Sequence, residues 1–227
     1  MTVKGIDISH WQGDIDWEKI PDEYKFAFMK ATEGDGFIDD KFIRNWHSAK
    51  PGLRGAYHFW RYAFSGTAQA EHFFDIVSAT GDLGELPPVV DLEDTRAPKG
   101  GDIVIRMRQM LQRTEELFGK KPIIYTANWW WSPWTLNNTG FGDYDLWVAH
   151  YKTVYPWSKP YLPAGWADWQ IWQHSSKGSV PGVDGNCDLN VAKDEWYKSY
   201  ATQEPTPSSR VITLIVPEGD TVNVEYH

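Results

Sequence analysis

The sequence predicts an α/β fold in which a parallel sheet of eight strands closes into a barrel. Three observations carry that expectation. Strand-like and helix-like runs alternate through residue 126, an order that implies parallel strands joined by helical crossovers. The strand-like runs total eight in a chain of 227 residues, a number that suggests closure and a length that suffices for one barrel. Polar residues, finally, gather at the carboxyl ends of those runs: Asp7 and His10, Thr32 and Glu33, Tyr57 and His58, Asp91 and Glu93, Tyr125 and Asn128, His150 and Tyr151, Gln173 and His174, and Asp188. In β/α barrels that end carries the active site.

Each element has its own signal. Residues 4–10 form the first strand, 16–20 a short helix and 26–32 the second strand. Residues 39–50 place Phe42, Ile43 and Trp46 on one helical face, with Gly52 as the stop. The third strand is 55–60. Thr67 is the expected N-cap of a helix whose Ala70, Phe73, Phe74 and Val77 follow the i, i+3, i+4, i+7 spacing. Residues 86–94 begin with two prolines, continue through Val89 and Val90, and then place acids at alternate positions; this reads as a buried strand emerging at a polar mouth. The helix 102–118 buries Val104, Met107, Leu111 and Phe118 and ends at Gly119, with Pro122 just beyond. The fifth strand is 122–126.

Past that point the helical period is lost. Residues 146–151, 169–174 and 187–189 read as strands whose connections are rich in Trp, Tyr, Pro, Gly and Asn, with Trp129, Trp130, Trp131 and Trp134 in one such loop. Five β/α units and three further strands make a modified TIM-like barrel over residues 1–201. Residues 202–209 read as a Pro/Ser linker, and 210–227 as a short β-hairpin around Pro217-Glu218-Gly219-Asp220. So short a tail cannot bury its own core. It is expected to dock on the barrel, pair with another chain, or begin a longer module.

A formal charge of −9 argues against nucleic acid as a partner, since phosphate contacts need clustered cations. No apolar run reaches the ~20 residues of a membrane span. The amino terminus runs directly into a strand pattern and shows no signal peptide. Cys187 is the only cysteine, so no internal disulfide and no cysteine-based zinc site can form. No His-x-His or His-Glu-x-x-His spacing links His10, His58, His150 and His174, and no metal or cofactor is expected. The aromatic content is high: 14 Trp and 11 Tyr exceed what one core requires. The surplus suits a groove in which flat rings stack on sugar faces.

Asp91 and Glu93 are the sharpest chemical signal. Strand side chains alternate, so the two carboxyls share one face with backbones ~7 Å apart, while Leu92 takes the other. That is the range in which a carboxyl pair cleaves glycosidic bonds, one protonating the leaving oxygen and the other supporting charge across the ring. Asp-x-Glu alone is also compatible with a solvated strand, but Val89, Val90 and Leu92 argue for burial.

Several separated motifs resemble one known family in the same order. Asp7-Ile8-Ser9-His10-Trp11-Gln12-Gly13, then Phe28-Met29-Lys30-Ala31-Thr32-Glu33-Gly34 with Phe37 and Asp39 behind it, resemble the signature of the family 25 glycoside hydrolases, the Chalaropsis-type lysozymes. Gly55-Ala56-Tyr57-His58-Phe59, Val90-Asp91-Leu92-Glu93, Leu146-Trp147-Val148-Ala149, Trp169-Gln170 and Asp188-Leu189-Asn190 continue the likeness, which covers about residues 4–197. The resemblance implies a modified barrel of the same count and N-acetylmuramidase action on peptidoglycan glycan strands. It makes Glu93 the general acid, with Asp91, Asp7 and Asp188 as the other acids of the site. Candidate substrate contacts are His10, Glu33, Tyr57, Tyr62, Tyr125, Trp129, Trp147 and Trp169. A monomer is expected, acting on the cell wall after release in the manner of a phage endolysin, or after secretion. A chitinase-like enzyme would share the Asp-x-Glu, but the usual Asp-x-x-Asp-x-Asp-x-Glu is broken by Leu86 and Val89. A metal-dependent deacetylase or amidase on the same rim is a second alternative, and a sugar-binding module without catalysis is the third, although such a module would be expected to have lost an acid and none is lost.

Overall fold

A computed structural model describes residues 1–50, 52–152, 155 and 159–201; the expected linker and hairpin lie outside them. Among the described residues, nine strands form one sheet: β1 (Thr2–Ile8), β2 (Tyr24–Glu33), β3 (Phe37–Ile38), β4 (Leu53–Phe59), β5 (Val89–Asp91), β6 (Ile123–Thr126), β7 (Leu146–Ala149), β8 (Ile171–Gly178) and β9 (Cys187–Lys193). The order is β1-β9-β8-β7-β6-β5-β4-β2-β3, and an additional β1–β2 pairing closes eight strands into a ring, with β3 a two-residue antiparallel extension of β2. Helices α1 (Phe42–Ser48), α2 (Gly66–Ser78) and α3 (Ile103–Phe118) cross between strands, followed by α4 (Asn128–Thr135) and α5 (Asp194–Ala201).

The sheet is not wholly parallel as expected. β9 runs antiparallel to both β8 and β1, because only residues 179–186 separate β8 from β9. A parallel return needs a crossover of a dozen or more residues. The reversal brings the first residues of β9, including Asp188, to the mouth where the other strands end.

Alternation along the strands divides the core in two. Residues facing the barrel axis include Phe26, Phe28, Leu53, Val89, Ile123, Trp147, Ile171 and Ala192. Those facing the helices include Ile6, Ala27, Met29, Ala56, Val90, Leu92 and Ile124, packed on Phe73, Phe74, Met107 and Leu111. Inside the barrel two glycines make room for large rings. A Cβ on Gly5 would lie 2.4 Å from Phe26, and one on Gly55 would lie 2.2 Å from Phe28.

Local details differ from expectation at four places. The α2 N-cap is Ser65, whose hydroxyl accepts from the Ala68 N–H, not Thr67, which lies within the first turn. Phe42 and Trp46 are buried on α1, but Ile43 faces solvent. Residues 16–20 hold only a 3-10 turn, Trp17–Lys19. The tryptophan-rich loop is helix α4: Trp130 and Trp131 are buried, and their indole N–H groups donate to the Asp94 and Asn138 carbonyls. Its signal was masked because tryptophans occupy both faces and Pro133 interrupts the run; as the sixth residue of an eight-residue helix, the proline forfeits the one bond its N–H would make to the Trp129 carbonyl.

Candidate active site

Eight strands deliver inward-facing polar side chains to one level at the mouth. Val89 fills the axis and Asp91, two residues on, opens into a cavity of about 200 Å³ lined also by Asp7, Lys30, Tyr57, Phe59, Glu93, Tyr125, Trp147, Gln173 and Asp188. Glu93 lies just past the end of β5, so its carboxyl leaves the strand while sharing the cavity with Asp91. Asp7 and Asp188 are direct cross-strand partners in the antiparallel β1–β9 pair.

A hydrogen-bond network orients the acids. Asp7 Oδ2 accepts from Asn190 Nδ2 at 2.7 Å and from Gln173 Nε2 at 2.8 Å. Gln173 Nε2 also reaches Asp188 Oδ2 at 3.3 Å, while its Oε1 accepts from the Tyr125 hydroxyl at 2.8 Å and from that of Tyr151. Asn190 Oδ1 in turn accepts from the Trp147 indole at 2.8 Å. One amide thus ties two phenols to two carboxyls. Asp91 Oδ1, by contrast, is buried without a hydrogen-bond partner among the described residues. Such an orphan acceptor is costly unless a ligand completes it.

Burial and mutual repulsion make this cluster hold protons. Glu93 is pushed up to about 7 by burial and by the Asp7 charge, against the pull of Lys30 and Arg61. Burial, then Glu93, raises Asp91 well above the usual carboxylate range. Asp188 rises to about 8 through burial and the Asp7 charge, and Asp7 to about 6 through burial, offset by its hydrogen bonds. The opposing cations belong to a chain of alternating charges along the rim. Lys30 Nζ meets Glu33 Oε2 at 2.7 Å, Arg61 Nε meets Glu33 Oε1 at 2.7 Å, and Arg61 Nη1 meets Asp94 Oδ1 at 2.9 Å.

Of the expected substrate contacts, Tyr57, Tyr125 and Trp147 line the cavity. Glu33 is engaged in the rim ion pairs, and the Tyr62 hydroxyl donates to Asp102 at 2.6 Å. His10 is held by Asp39, and Trp129 is exposed at the start of α4. Trp169 lies before β8, at the barrel end opposite the mouth, packed against Trp172 with Lys193 over its ring. The other histidines occupy separate environments. His58 is buried between Thr32 and Gln69, its imidazole lowered to about 3 by burial; His150 accepts from the Tyr161 N–H; His174 stacks on Tyr155.

Lys30, Asn190 and Trp11 were not expected in the site, and Gln173 was expected only as one of the polar residues at the strand ends. Lys30 had a usable signal, as a lone cation at an inward position of the apolar run Phe26-Ala27-Phe28-Met29. Asn190 had none without knowledge that β9 runs backwards.

Fold and chemistry together define a barrel enzyme built to protonate and cleave a bond within an aromatic-walled cavity, the equipment of a glycoside hydrolase. Residues 6–183 match the sequence profile of Glycosyl hydrolases family 25, and the chain belongs to that family. It is 37% identical over 199 residues to the uncharacterized protein YegX of Escherichia coli K12, covering 84% of this chain and 69% of that protein. It is 38% identical over 202 residues to Lysozyme M1 of Streptomyces globisporus, covering 83% and 67%. Among solved structures, the bacterial lysozyme from Streptomyces coelicolor superposes with a TM-score of 0.75 at 35% identity, over 83% of this chain and 90% of that one.

Proposed function

We propose that this family 25 hydrolase is a lysozyme that cuts the β-1,4 bond between N-acetylmuramic acid and N-acetylglucosamine in peptidoglycan, with Glu93 as general acid and Asp91 as assisting carboxylate. The observation that carries the reading is the contrast between the two carboxyls in one cavity. Glu93, pushed up to about 7 by burial and the Asp7 charge, holds its proton near neutrality, and Asp91 presents a buried oxygen without a partner among the described residues. The names of the lysozyme relatives support the substrate class.

The chemistry follows from those positions. The 2-acetamido N–H of the sugar donates to Asp91, which stabilises the Asp91 carboxylate and leaves the pair's proton on Glu93. The acetamide oxygen attacks C1 as the C1–O bond to the next sugar breaks, and Glu93 delivers its proton to the departing oxygen. The N–H proton of the resulting oxazoline ion is held by Asp91. Water then attacks C1, gives a proton to Glu93, and reopens the ring to the acetamide. Asp7 and Asp188, sharing a proton beneath, add negative potential that favours the oxocarbenium-like transition state. Tyr57, Tyr125 and Trp147 wall the site and limit water access.

The test is digestion of purified peptidoglycan with identification of the new reducing end. A muramic acid reducing end is expected. A glucosamine reducing end would support a chitinase-like specificity instead, and released acetate or peptide without new reducing ends would overturn glycosidase action.

A further inference from the structure

Beside the cavity a tryptophan stands in solvent. Trp11 is 81% exposed, an unusual state for the largest apolar ring, yet it also lines the cavity with Ser9 and Gln12. It is not loosely held. Trp11 lies in the 3-10 turn His10–Gln12, where Ser9 and Gln12 form a capping box: the Ser9 hydroxyl accepts from the Trp11 N–H at 3.3 Å, and Gln12 Oε1 accepts from the Ser9 N–H at 2.9 Å. Gln12 Nε2 then ties the turn across to the Asn186 carbonyl at 3.2 Å. The preceding residue is pinned twice, with the His10 backbone N–H at 2.9 Å and Nδ1 at 2.8 Å from the same buried oxygen, Asp39 Oδ2.

The His10 ring backs the indole, with centroids 4.6 Å apart, and Phe37 backs His10 at 5.9 Å. Phe37 is itself 44% exposed. Lys30 Nζ lies 5.4 Å from the Phe37 ring and 5.1 Å from that of Phe59, which lines the cavity. A strip of rings therefore runs from Trp11 through His10 to Phe37, the Lys30 ammonium bridges Phe37 to Phe59, and both ends of the strip, Trp11 and Phe59, line the cavity. Fixing an exposed indole in advance lowers the ordering cost of binding a flat, partly apolar ring.

We propose that Trp11 is a binding residue of this chain, a stacking platform for a pyranose ring of the glycan strand next to the sugars at the bond being cut. The proposal rests on the glycan reading above and extends it outside the cavity. It commits to the sugar backbone as occupant, because the strip is continuous with the cavity that holds the sugar, and the cations bordering it, Lys30 and Arg61, are already paired with Glu33 and Asp94.

The test uses the Glu93→Gln protein, which binds without turnover, and peptide-free glycan strands prepared by amidase treatment of peptidoglycan, titrated calorimetrically. Adding Trp11→Ala is expected to weaken binding about tenfold, or about 1.4 kcal/mol, whereas Trp11→Phe keeps it within about threefold because a ring remains. An unchanged melting temperature shows that the exposed substitution leaves the fold intact. Unaltered affinity in Trp11→Ala overturns the platform alone. Loss only with strands that retain stem peptides assigns the strip to peptide and overturns the sugar as occupant. If Glu93→Gln binds no glycan strand, the glycosidase reading fails and the platform with it.

Discussion

Asp188 shows how a single residue trades stability for chemistry. Its folded-state value of about 8 stands above the ~3.9 of a free aspartate. Between those values the folded protein binds more protons than the unfolded chain, so stability falls as pH rises through the window and stays low above it. Asp188→Asn removes that loss. Its melting temperature is therefore expected to exceed the wild type's by about 2–4 °C at pH 8, corresponding to about 1 kcal/mol, and to show no such gain at pH 4. An equal difference at both values would mean that the carboxyl is not held protonated. At this same scale the four acids were legible in the sequence, Asp91 and Glu93 through Asp-x-Glu on an apolar strand, and Asp7 and Asp188 through their places at strand ends and the family motifs they resemble. Lys30 was legible only as a lone cation in an apolar strand, Gln173 only as one of the polar residues at the strand ends, and Asn190 not at all. A neutral amide becomes part of the site only when another element brings a carboxyl to it, as β1 and β9 do with Asp7 and Asp188.

At the scale of elements, the periodic helices were readable where one face alone is apolar. On α2, Ala70, Phe73, Phe74 and Val77 are all buried as spaced. On α3, Met107, Leu111 and Phe118 hold the buried stripe, and Gly119 closes the helix in a left-handed conformation. Helix α4 escaped because its indoles face both ways. The strands show a subtler constraint, in that the Phe26 and Phe28 rings occupy space in the barrel interior that a side chain at Gly5 or Gly55 would fill. Gly55→Ala places a Cβ against the Phe28 ring and is expected to destabilise the protein by about 1–3 kcal/mol. Denaturant titration measures the loss, and Phe28→Leu in the same chain should recover part of it, because the two positions are in contact. Additive losses in the double variant would show that the clash is not between these two groups.

For the whole molecule, the closed barrel is what assembles the site. The eight-strand ring brings the mouth ends of β1, β5 and β9 together, where the carboxyls of Asp7, Asp91, Glu93 and Asp188 are buried within reach of one another. The count of strands was readable in the sequence, but the direction of the last one was not, since strand patterns carry no sign. Expectation placed Asp188 at a strand's carboxyl end; it reaches the mouth from an amino-terminal end of a reversed strand.

The most direct test of this account is the pH dependence of cell-wall hydrolysis by wild type and Glu93→Gln, measured as initial rates. In the wild type, kcat/KM should decline as pH rises through about 7, the value at which Glu93 gives up its proton. Gln keeps the shape of the side chain but has no proton to deliver, so the variant should lose ~10²- to 10⁴-fold in rate across the range. A Glu93→Gln protein that kept more than about a tenth of the wild-type rate, with the alkaline decline unchanged, would contradict the assignment of Glu93 as the acid.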